Sequence, residues 1–320
     1  MTGLAFIFPG QGSQEIGMGK ALADAFPAAR AVFAEVDDAL GQNLSKLMWD
    51  GDIAELTLTA NTQPALMAHS VAAMRALEAA SGLSAANARF VAGHSLGEYS
   101  ALASAGAISL ADTARLLRIR GNAMQGAVAA GEGAMAALLG ADVAQAEAAC
   151  AAGRATGGVC EIANDNAPGQ LVLSGSKAAI DAACEHAKAN GVKKAMALNV
   201  SAPFHCSLMQ PAADAMAEAL SGVTISAPVV PVVANISATP TSDPDTIRQN
   251  LVDQVTGRVR WTESVQFMVG QGVTSTAEAG AGKVLTVMQR RIEKSLNGFT
   301  LGTPEDIEAF AAYIKGEAHV

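Results

Sequence analysis

The sequence has 320 residues, half of them hydrophobic and 16% charged, which is typical of a compact globular protein with a sizeable core. Acidic residues outnumber basic ones by 30 to 21, and the formal net charge of −9 argues against non-specific binding of nucleic acid. No apolar run reaches the roughly 18 residues of a membrane-spanning helix, and the N-terminus lacks the basic segment of a signal peptide. We therefore expect a cytoplasmic protein that binds neither nucleic acid nor membranes.

The first part of the chain alternates short apolar runs with helical periodicity. Leu4–Phe8 is a continuous apolar run that ends at Pro9-Gly10, and Arg89–Ala92 is a second one. Such runs are typical of strands buried on both faces of a parallel sheet. Helical periodicity extends over about Lys20–Leu40 and Thr62–Ala80. Strands that alternate with helices predict an α/β fold with a parallel sheet.

Between residues 130 and 201 the pattern changes to the order β-α-β-β-α-β. The predicted elements are Ala134–Leu139, Asp142–Ala152, Val159–Asn164, Leu171–Ser174, Lys177–Asn190 and Lys194–Val200. This order is that of a ferredoxin-like unit. We expect a small subdomain at 130–201, inserted into a large α/β-hydrolase-like body formed by 1–129 and 202–320. The body is predicted to resume with a strand at Val229–Asn235, a loop at Thr239–Asp245, and helices near Ile247–Val255 and Lys283–Leu296.

Two glycine-rich segments and the cysteines do not match known cofactor motifs. Gly10-Gln11-Gly12 follows a strand, but Glu15 stands where a dinucleotide fingerprint needs its third glycine. Gly280–Val284 ends like a phosphate loop but lacks its first glycine and its magnesium-binding hydroxyl. The cysteines lack metal-ligand spacing, so we expect four free buried thiols: Cys150, Cys160, Cys184 and Cys206.

The strongest chemical motif is Gly93-His94-Ser95-Leu96-Gly97, which fits the pattern G-x-S-x-G between a strand and the helix-compatible stretch Glu98–Ala105. Two glycines permit a sharp turn that exposes the serine hydroxyl, with the following amide and the helix N-terminus placed to stabilise an oxyanion. The alternative is that this five-residue match arose by chance in an ordinary turn between a strand and a helix. The context favours Ser95 as a nucleophile.

A serine nucleophile needs a base, and the sequence has five histidines. Three are set aside because they lie near the C-terminus, on a polar helix stretch, or beside the serine in its turn: His319, His186 and His94. His69 falls within an Ala-rich helical run, as a packed helix histidine does. His205 follows the irregular segment Ser201–Phe204, and loops on a rigid scaffold commonly carry catalytic residues. We prefer His205 as the base, and the alternative is a loop histidine with a capping role.

Arg120 lies on the apolar face of a predicted helix that begins with a capping box at Ser109–Asp112 and runs to about Gln125. Arg115 and Arg118 are expected on its polar face. An unpaired buried charge is costly, so Arg120 must find an anionic partner or hydrogen bonds. That partner is either a buried Asp or Glu of this protein or the carboxylate of a substrate, which a guanidinium holds with two parallel hydrogen bonds.

Five blocks of the sequence, in this order, resemble the malonyl-CoA:acyl carrier protein transacylase family: Phe8–Gln14, Gly93–Leu102, Arg120-Gly121, Asn166–Gln170 and Pro203–His205. The resemblance spans nearly the whole chain and includes the inserted ferredoxin-like unit. It implies an acyl carrier protein S-malonyltransferase. The combination is far more specific than any one of the motifs.

The resemblance implies that Ser95 attacks the malonyl thioester and that His205 takes its proton. The backbone amides of Gln11 and Leu96 would form the oxyanion hole. A backbone carbonyl near Gln254, rather than an aspartate, would orient the histidine, so that the catalytic group is a dyad. The phosphopantetheine thiol of acyl carrier protein would then attack the malonyl-serine.

The resemblance also assigns residues to substrate binding. Arg120 would pair with the free malonyl carboxylate, and the ring of Phe204 would leave little space for an α-methyl branch. Asn166 and Gln254 complete the expected substrate contacts. Acetyl groups should be rejected more strongly than methylmalonyl groups, because acetyl leaves the Arg120 charge unpaired.

The implied partners are malonyl-CoA, as a substrate, and acyl carrier protein; no metal or redox cofactor is implied. We expect a monomer. Carrier protein is expected to dock on one of two basic clusters, unless both are merely solvated faces: Lys188, Lys193 and Lys194, or Arg290, Arg291 and Lys294. The alternatives are a malonyltransferase of a polyketide pathway, a serine thioesterase or hydrolase, and an inactive scaffold that binds carrier protein.

Overall fold

A computed structural model describes residues 3–316 of the chain. Within that range the chain forms eleven strands: β1 (Leu4–Phe8), β2 (Phe90–Gly93), β3 (Gly133–Leu139), β4 (Cys160–Ala167), β5 (Gln170–Ser176), β6 (Lys194–Ala197), β7 (Val232–Val233), β8 (Pro240–Thr241), β9 (Val259–Arg260), β10 (Ser275–Glu278) and β11 (Asn297–Thr300).

The same residues form fourteen α-helices: α1 (Lys20–Ala25), α2 (Pro27–Leu40), α3 (Leu44–Asp50), α4 (Ile53–Thr57), α5 (Thr59–Ser81), α6 (Gly97–Ser104), α7 (Leu110–Gly126), α8 (Val143–Arg154), α9 (Lys177–Ala189), α10 (Gln210–Ser221), α11 (Pro244–Asp253), α12 (Trp261–Gly270), α13 (Val284–Ile292) and α14 (Pro304–Lys315). Within residues 3–316, no helix combines the length and the apolar composition that crossing a bilayer requires.

Six strands form the larger sheet, in the order β11-β10-β1-β2-β7-β8. All neighbours are parallel except the last pair, β7 and β8. Strand β1 lies inside the sheet and is buried on both faces, since Phe6 and Phe8 pack into one core while Ala5 and Ile7 pack into another. The parallel sheet predicted from the apolar runs is confirmed.

The smaller sheet has the order β6-β3-β5-β4-β9. The pairs β6-β3, β3-β5 and β5-β4 are antiparallel, and α8 and α9 pack with these strands around a separate apolar core. The predicted β-α-β-β-α-β order is confirmed. Strand β9 comes from residues beyond 201 and pairs in parallel with β4 through Asn164 and Val259. The division of the chain at 129/130 and 201/202 stays a prediction.

Several predicted boundaries were wrong, most of them near a proline. The helix expected over Lys20–Leu40 is two helices, because Phe26 is extended before Pro27, the first residue of α2. The strand expected at Val229–Asn235 is confined to β7, which follows Pro231. The loop expected at Thr239–Asp245 contains β8 and the start of α11, where the Asp243 side chain caps the helix. The last strand of the small sheet, β6, ends at Ala197 rather than Val200.

The sheet topology brings two loops together at one edge. Phe8 and Gly93, the last residues of β1 and β2, are paired neighbours in the parallel sheet. The loops that follow them, at 9–19 and 94–96, therefore lie at the same carboxyl edge, where open α/β sheets bind their ligands. The four cysteines are free and buried, as expected.

Candidate active site

Ser95 lies in a tight turn between β2 and α6, with a φ of 54° that non-glycine residues seldom adopt. The flanking glycines permit the turn. A Cβ added at Gly93 would lie 1.9 Å from the Gly97 carbonyl carbon, and one at Gly97 would lie 2.3 Å from the Phe8 oxygen. The Asn235 Oδ1 accepts a hydrogen bond from the Ser95 amide at 2.7 Å, which helps to hold the strained residue.

The histidine preferred from the sequence lies beside the serine. The Ser95 Oγ is 2.8 Å from the His205 Nε2, and the His205 Nδ1 is 2.8 Å from the backbone oxygen of Gln254. A carbonyl oxygen only accepts, so Nδ1 carries the proton and Nε2 is free to accept the serine proton. This arrangement suits a nucleophile and its base.

His205 is 4% exposed and stays neutral over a wide pH range. Burial and, to a smaller extent, the positive charge of Arg120 together lower its pKa to about 3, against the hydrogen bond from Nδ1 to Gln254. A neutral imidazole is the form that accepts a proton. Occupation of the site by an anion would offset the charge of Arg120 and bring the pKa of His205 back toward its ordinary range.

Arg120 points into the same site from α7 and is 1% exposed. Its Nη1 donates to the Gln63 Oε1 at 2.8 Å, and its Nη2 donates to the Gln254 Oε1 at 3.0 Å and to the Ser95 Oγ at 3.2 Å. All three acceptors are neutral. Within residues 3–316, no carboxylate forms an ion pair with Arg120, and its buried Nε has no protein acceptor.

The other two arginines of α7 differ from each other. Arg115 is exposed and pairs with Asp112, as predicted for the polar face. Arg118 is half-buried and donates to the Asn61 Oδ1 at 2.6 Å and to Gln42, so the polar face meets side-chain amides there rather than open solvent. Long-range amide partners explain the difference.

Gln11 and Leu96, whose backbone amides the resemblance assigns to the oxyanion hole, both line the cavity beside Ser95. Leu96 precedes α6, and Gln11 lies in the loop after β1 beside the same cavity. Within the described range, neither amide donates to a protein acceptor. The Gln11 side chain donates to the Thr59 Oγ1 at 3.3 Å, which anchors its loop to α5. Both amides therefore keep a donor available for an oxyanion.

An open cavity of about 280 Å³ connects these groups, and its walls come from strands of the smaller sheet and from the loops that follow β1 and β2 of the larger one. Phe204 lines it and is largely buried. Asn166 also lines it, but its Oδ1 accepts from the His94 Nε2 at 2.8 Å. The Ser95 Oγ bonds His205 and not His94, and burial lowers the pKa of His94.

Three residues near the serine were not singled out from the sequence. Gln63 and Asn235 are buried amides that bond Arg120 and Ser95, and Glu98 is a buried acid that bonds Asn235. The sequence offered weak signals for them: a polar residue in an apolar helix, an asparagine at the carboxyl end of a predicted strand, and an acid within the serine block. None of these signals shows which partner the residue has.

The remaining candidates from the sequence do not reach the site. His69 is buried in α5, where its Nε2 donates to the Gly302 oxygen at 3.1 Å and burial lowers its pKa to about 4. His186 lies on α9, and His319 lies outside the described residues. The glycines at 280–282 lead into α13, whose first amides already donate to Glu278. Residues 3–316 contain no group of three His, Cys, Asp or Glu side chains arranged to hold a metal ion.

Comparisons with known proteins show which family this chain resembles. The model of the acyl transferase domain family matches residues 5–298. The malonyl CoA-acyl carrier protein transacylase of Escherichia coli (strain K12) is 46% identical over 309 residues, or 97% of this chain and 99% of the relative. A solved acyl-carrier-protein-S-malonyltransferase from Bartonella henselae is 56% identical, with a TM-score of 0.95 over 98% of this chain and 99% of that one. A malonyl-transacylase solved in complex with a type II PKS acyl-carrier protein is 41% identical, with a TM-score of 0.94 over 97% and 99%.

A serine in a strand-to-helix turn with a histidine at hydrogen-bond distance defines an enzyme that forms acyl-serine intermediates, and the family model is that of acyl transferases. Relatives that match over nearly the full length of both chains identify the group within this class. The chain belongs to the acyl transferase family, among the malonyl CoA-acyl carrier protein transacylases. The family resemblance seen in the sequence blocks is confirmed.

Proposed function

We propose that this enzyme transfers a malonyl group from malonyl-CoA to the phosphopantetheine thiol of acyl carrier protein through a malonyl-serine intermediate. The observation that supports this substrate most directly is Arg120, a buried cation that contacts the Ser95 Oγ and is surrounded by neutral acceptors. A buried charge without an ionic partner is costly in the empty site. A malonyl carboxylate supplies that partner next to the reacting serine.

In the first half-reaction the Ser95 Oγ attacks the thioester carbonyl while the His205 Nε2 takes the hydroxyl proton. The carbonyl oxygen becomes an oxyanion that the amides of Gln11 and Leu96 stabilise. When the oxyanion collapses, the carbon–sulfur bond breaks and the coenzyme A thiolate takes the proton from His205. The products are malonyl-serine, coenzyme A and a neutral histidine.

The second half-reaction runs through the same groups in reverse. His205 takes the proton of the phosphopantetheine thiol, and the thiolate attacks the ester carbonyl of malonyl-serine. Collapse of the second oxyanion breaks the ester bond, and the Ser95 oxygen takes the proton back from His205. The free enzyme is regenerated, and no group beyond the two substrates is consumed.

Selection against other acyl groups follows from two parts of the pocket. An acetyl group leaves Arg120 unpaired, so its rejection should be strong. The ring of Phe204, which lines the cavity, would oppose an α-methyl branch. A single methyl group in an apolar pocket contributes only about 1–3 kcal/mol of discrimination, so methylmalonyl should be disfavoured less strongly.

The test is the intact mass of the protein after incubation with malonyl-CoA or acetyl-CoA. Wild type should gain a malonyl adduct, and Ser95→Ala should gain none. Arg120→Ala should lose malonyl loading and gain acetyl loading. Equal loading of wild type by both donors would contradict the proposed carboxylate contact, and faster hydrolysis of simple esters than transfer would indicate a serine hydrolase.

We propose fatty-acid elongation as the use of the malonyl product. A polyketide pathway is the second candidate, because the 41% identical relative was solved with a type II PKS acyl-carrier protein. Rates of transfer to purified carrier proteins of both kinds distinguish the two. A clear preference for the polyketide carrier would reverse our order.

A further inference from the structure

Glu98 carries a buried carboxylate that the proposed reaction does not use. It is the second residue of α6, three positions after Ser95, and is 1% exposed. Its Oε2 accepts from the Asn235 backbone amide at 2.9 Å, from the Asn235 Nδ2 at 2.6 Å and from the Gln254 Nε2 at 3.2 Å. No cation within residues 3–316 forms an ion pair with it.

The contact between Glu98 and the Asn235 side chain determines which way that side-chain amide faces. A side-chain amide has one acceptor oxygen and one donor nitrogen. The Nδ2 donates to Glu98 and, at 2.6 Å, to the Gly93 oxygen. The Oδ1 is thereby left to accept from the Ser95 amide at 2.7 Å. A reversed amide would set an oxygen against the carboxylate and an N–H against the Ser95 N–H.

The second contact determines which way the Gln254 amide faces. Its Nε2 donates to Glu98, and its Oε1 therefore accepts from the Arg120 Nη2 at 3.0 Å. The backbone oxygen of the same residue accepts from the His205 Nδ1. One residue thus connects Glu98 to the proposed base and to the proposed carboxylate-binding arginine.

We infer that Glu98 is a positioning residue: its Oε2 sets the amide orientations of Asn235 and Gln254, and through them the placement of Ser95, His205 and Arg120. This inference rests on the proposed function, whose groups it positions. The feature that matters is an acceptor oxygen at the right reach. The negative charge is not required, and burial raises the pKa of Glu98 to about 7, so that a neutral form is already populated near neutral pH.

Two variants separate the effect of side-chain length at Glu98 from the effect of its charge. Glu98→Gln keeps the length of the side chain and an acceptor oxygen but removes the charge. Glu98→Asp keeps the charge but is one methylene shorter, so its oxygens withdraw from the donors. The measurement is the single-turnover rate constant for acylation of the enzyme by malonyl-CoA. Glu278→Gln is the matched control, because this buried acid bonds amides of α13 and none of the groups at Ser95.

We expect Glu98→Gln to stay within about threefold of wild type and Glu98→Asp to fall about 100-fold, the size of effect that a misplacement of about 1 Å produces. The Glu278→Gln control should stay near wild type. Glu98→Gln more than tenfold slower, or slower than Glu98→Asp, would overturn the inference. If Glu98→Asp does not fold, the acylation rate constant of Glu98→Gln alone decides.

A second readout separates positioning from a general loss of stability. If Glu98 places Arg120 through Gln254, Glu98→Asp should lower the ratio of malonyl to acetyl acylation rates. An unchanged ratio of the malonyl and acetyl acylation rates would contradict the placement of Arg120 through Gln254. In a double-mutant cycle, Glu98→Asp and Asn235→Ala should together slow acylation by much less than the product of their separate effects, because they disturb the same contact. If the double variant slows acylation by the product of the two separate effects, Glu98 does not position Ser95 through Asn235.

The experiment also distinguishes failure of the inference from failure of the proposed function. Wild type that malonyl-CoA does not acylate would refute the function, and the inference with it. Wild type that is acylated, with the order of the two variants reversed, would refute the inference alone.

Discussion

At the scale of single residues, the charge of Arg120 acts on the base as well as on a bound substrate. It contacts the Ser95 Oγ, which in turn contacts His205, and it lowers the pKa of that histidine. A malonyl carboxylate that neutralises Arg120 would strengthen His205 as a base at the moment it is needed. An acetyl group would bind without this effect.

This coupling predicts a change in pH dependence. Removal of the cation in Arg120→Ala should raise the pKa of His205, so the base becomes protonated at a higher pH than in wild type. With acetyl-CoA as donor, the acid limb of the acylation rate should therefore lie at higher pH in Arg120→Ala. Arg115→Ala, an exposed arginine of the same helix, is the control and should leave the limb in place. Coincident limbs in the two variants would refute the coupling.

Sequence reasoning found the residues whose chemistry is unusual for their setting. Ser95 stands between two glycines, and Arg120 is a cation on an apolar helix face. It missed Asn235 and Gln63, which are ordinary amides in ordinary elements. Their importance arises from contacts across 140 and 57 positions of the chain. Such contacts depend on how distant elements pack, which no local pattern encodes.

At the scale of elements, α13 connects the cavity to a basic surface. Its Val284, Leu285 and Met288 line the cavity, and its last turn carries the exposed Arg290 and Arg291. The second basic cluster considered from the sequence lies on α9 and β6 of the small sheet. Position beside the cavity favours the α13 cluster as the docking surface for an acidic carrier.

We therefore predict that Arg290→Glu combined with Arg291→Glu raises the KM for acyl carrier protein about tenfold or more at low salt. The rate of single-turnover acylation by malonyl-CoA is measured for the same variant. The matched control, at the small sheet, is Lys188→Glu combined with Lys194→Glu. An unchanged KM in the α13 variant, or an equal increase in the control, would refute the assignment.

Elements were predicted best where a pattern was long and uninterrupted. The apolar run of β1 and the repeating order of β3 to β6 were correct, because burial on both faces and regular alternation leave a clear signal. The helix at 20–40 was divided by Pro27. Short elements such as α3, α4 and α12 were missed, since three turns or fewer give too few positions for a period to stand out.

At the scale of the whole molecule, the burial of Glu98 predicts how stability depends on pH. Its pKa rises from 4.5 to about 7 through burial, while Asn235 and Arg120 oppose the shift and Tyr99 packs beside the same groups. A raised carboxyl pKa means that the folded state holds its proton more tightly than the unfolded chain. The stability that this proton provides is present below about pH 4.5 and is lost as pH rises toward 7.

Glu98→Gln removes this dependence. Its free energy of unfolding, relative to wild type, should increase between pH 4.5 and 7 by on the order of 3 kcal/mol, measured by denaturant unfolding at several pH values. Glu293→Gln is the control, because hydrogen bonds from Ser295 lower the pKa of that acid. Its effect on stability has the opposite sign and falls below about pH 4.5, so this variant should differ from wild type by a nearly constant amount between pH 4.5 and 7. A difference between Glu98→Gln and wild type that does not vary with pH would contradict the prediction.

The pairing of β9 with β4 has a consequence for the order in which the molecule is made. On the ribosome, the outer edge of β4 stays unpaired until about 90 more residues have been synthesised, which takes roughly 5–20 s. Strand β1 waits still longer for β10. Gln254, which orients the proposed base, emerges just before β9. A nascent chain therefore carries its serine for about half of its synthesis without the neighbours that make it reactive.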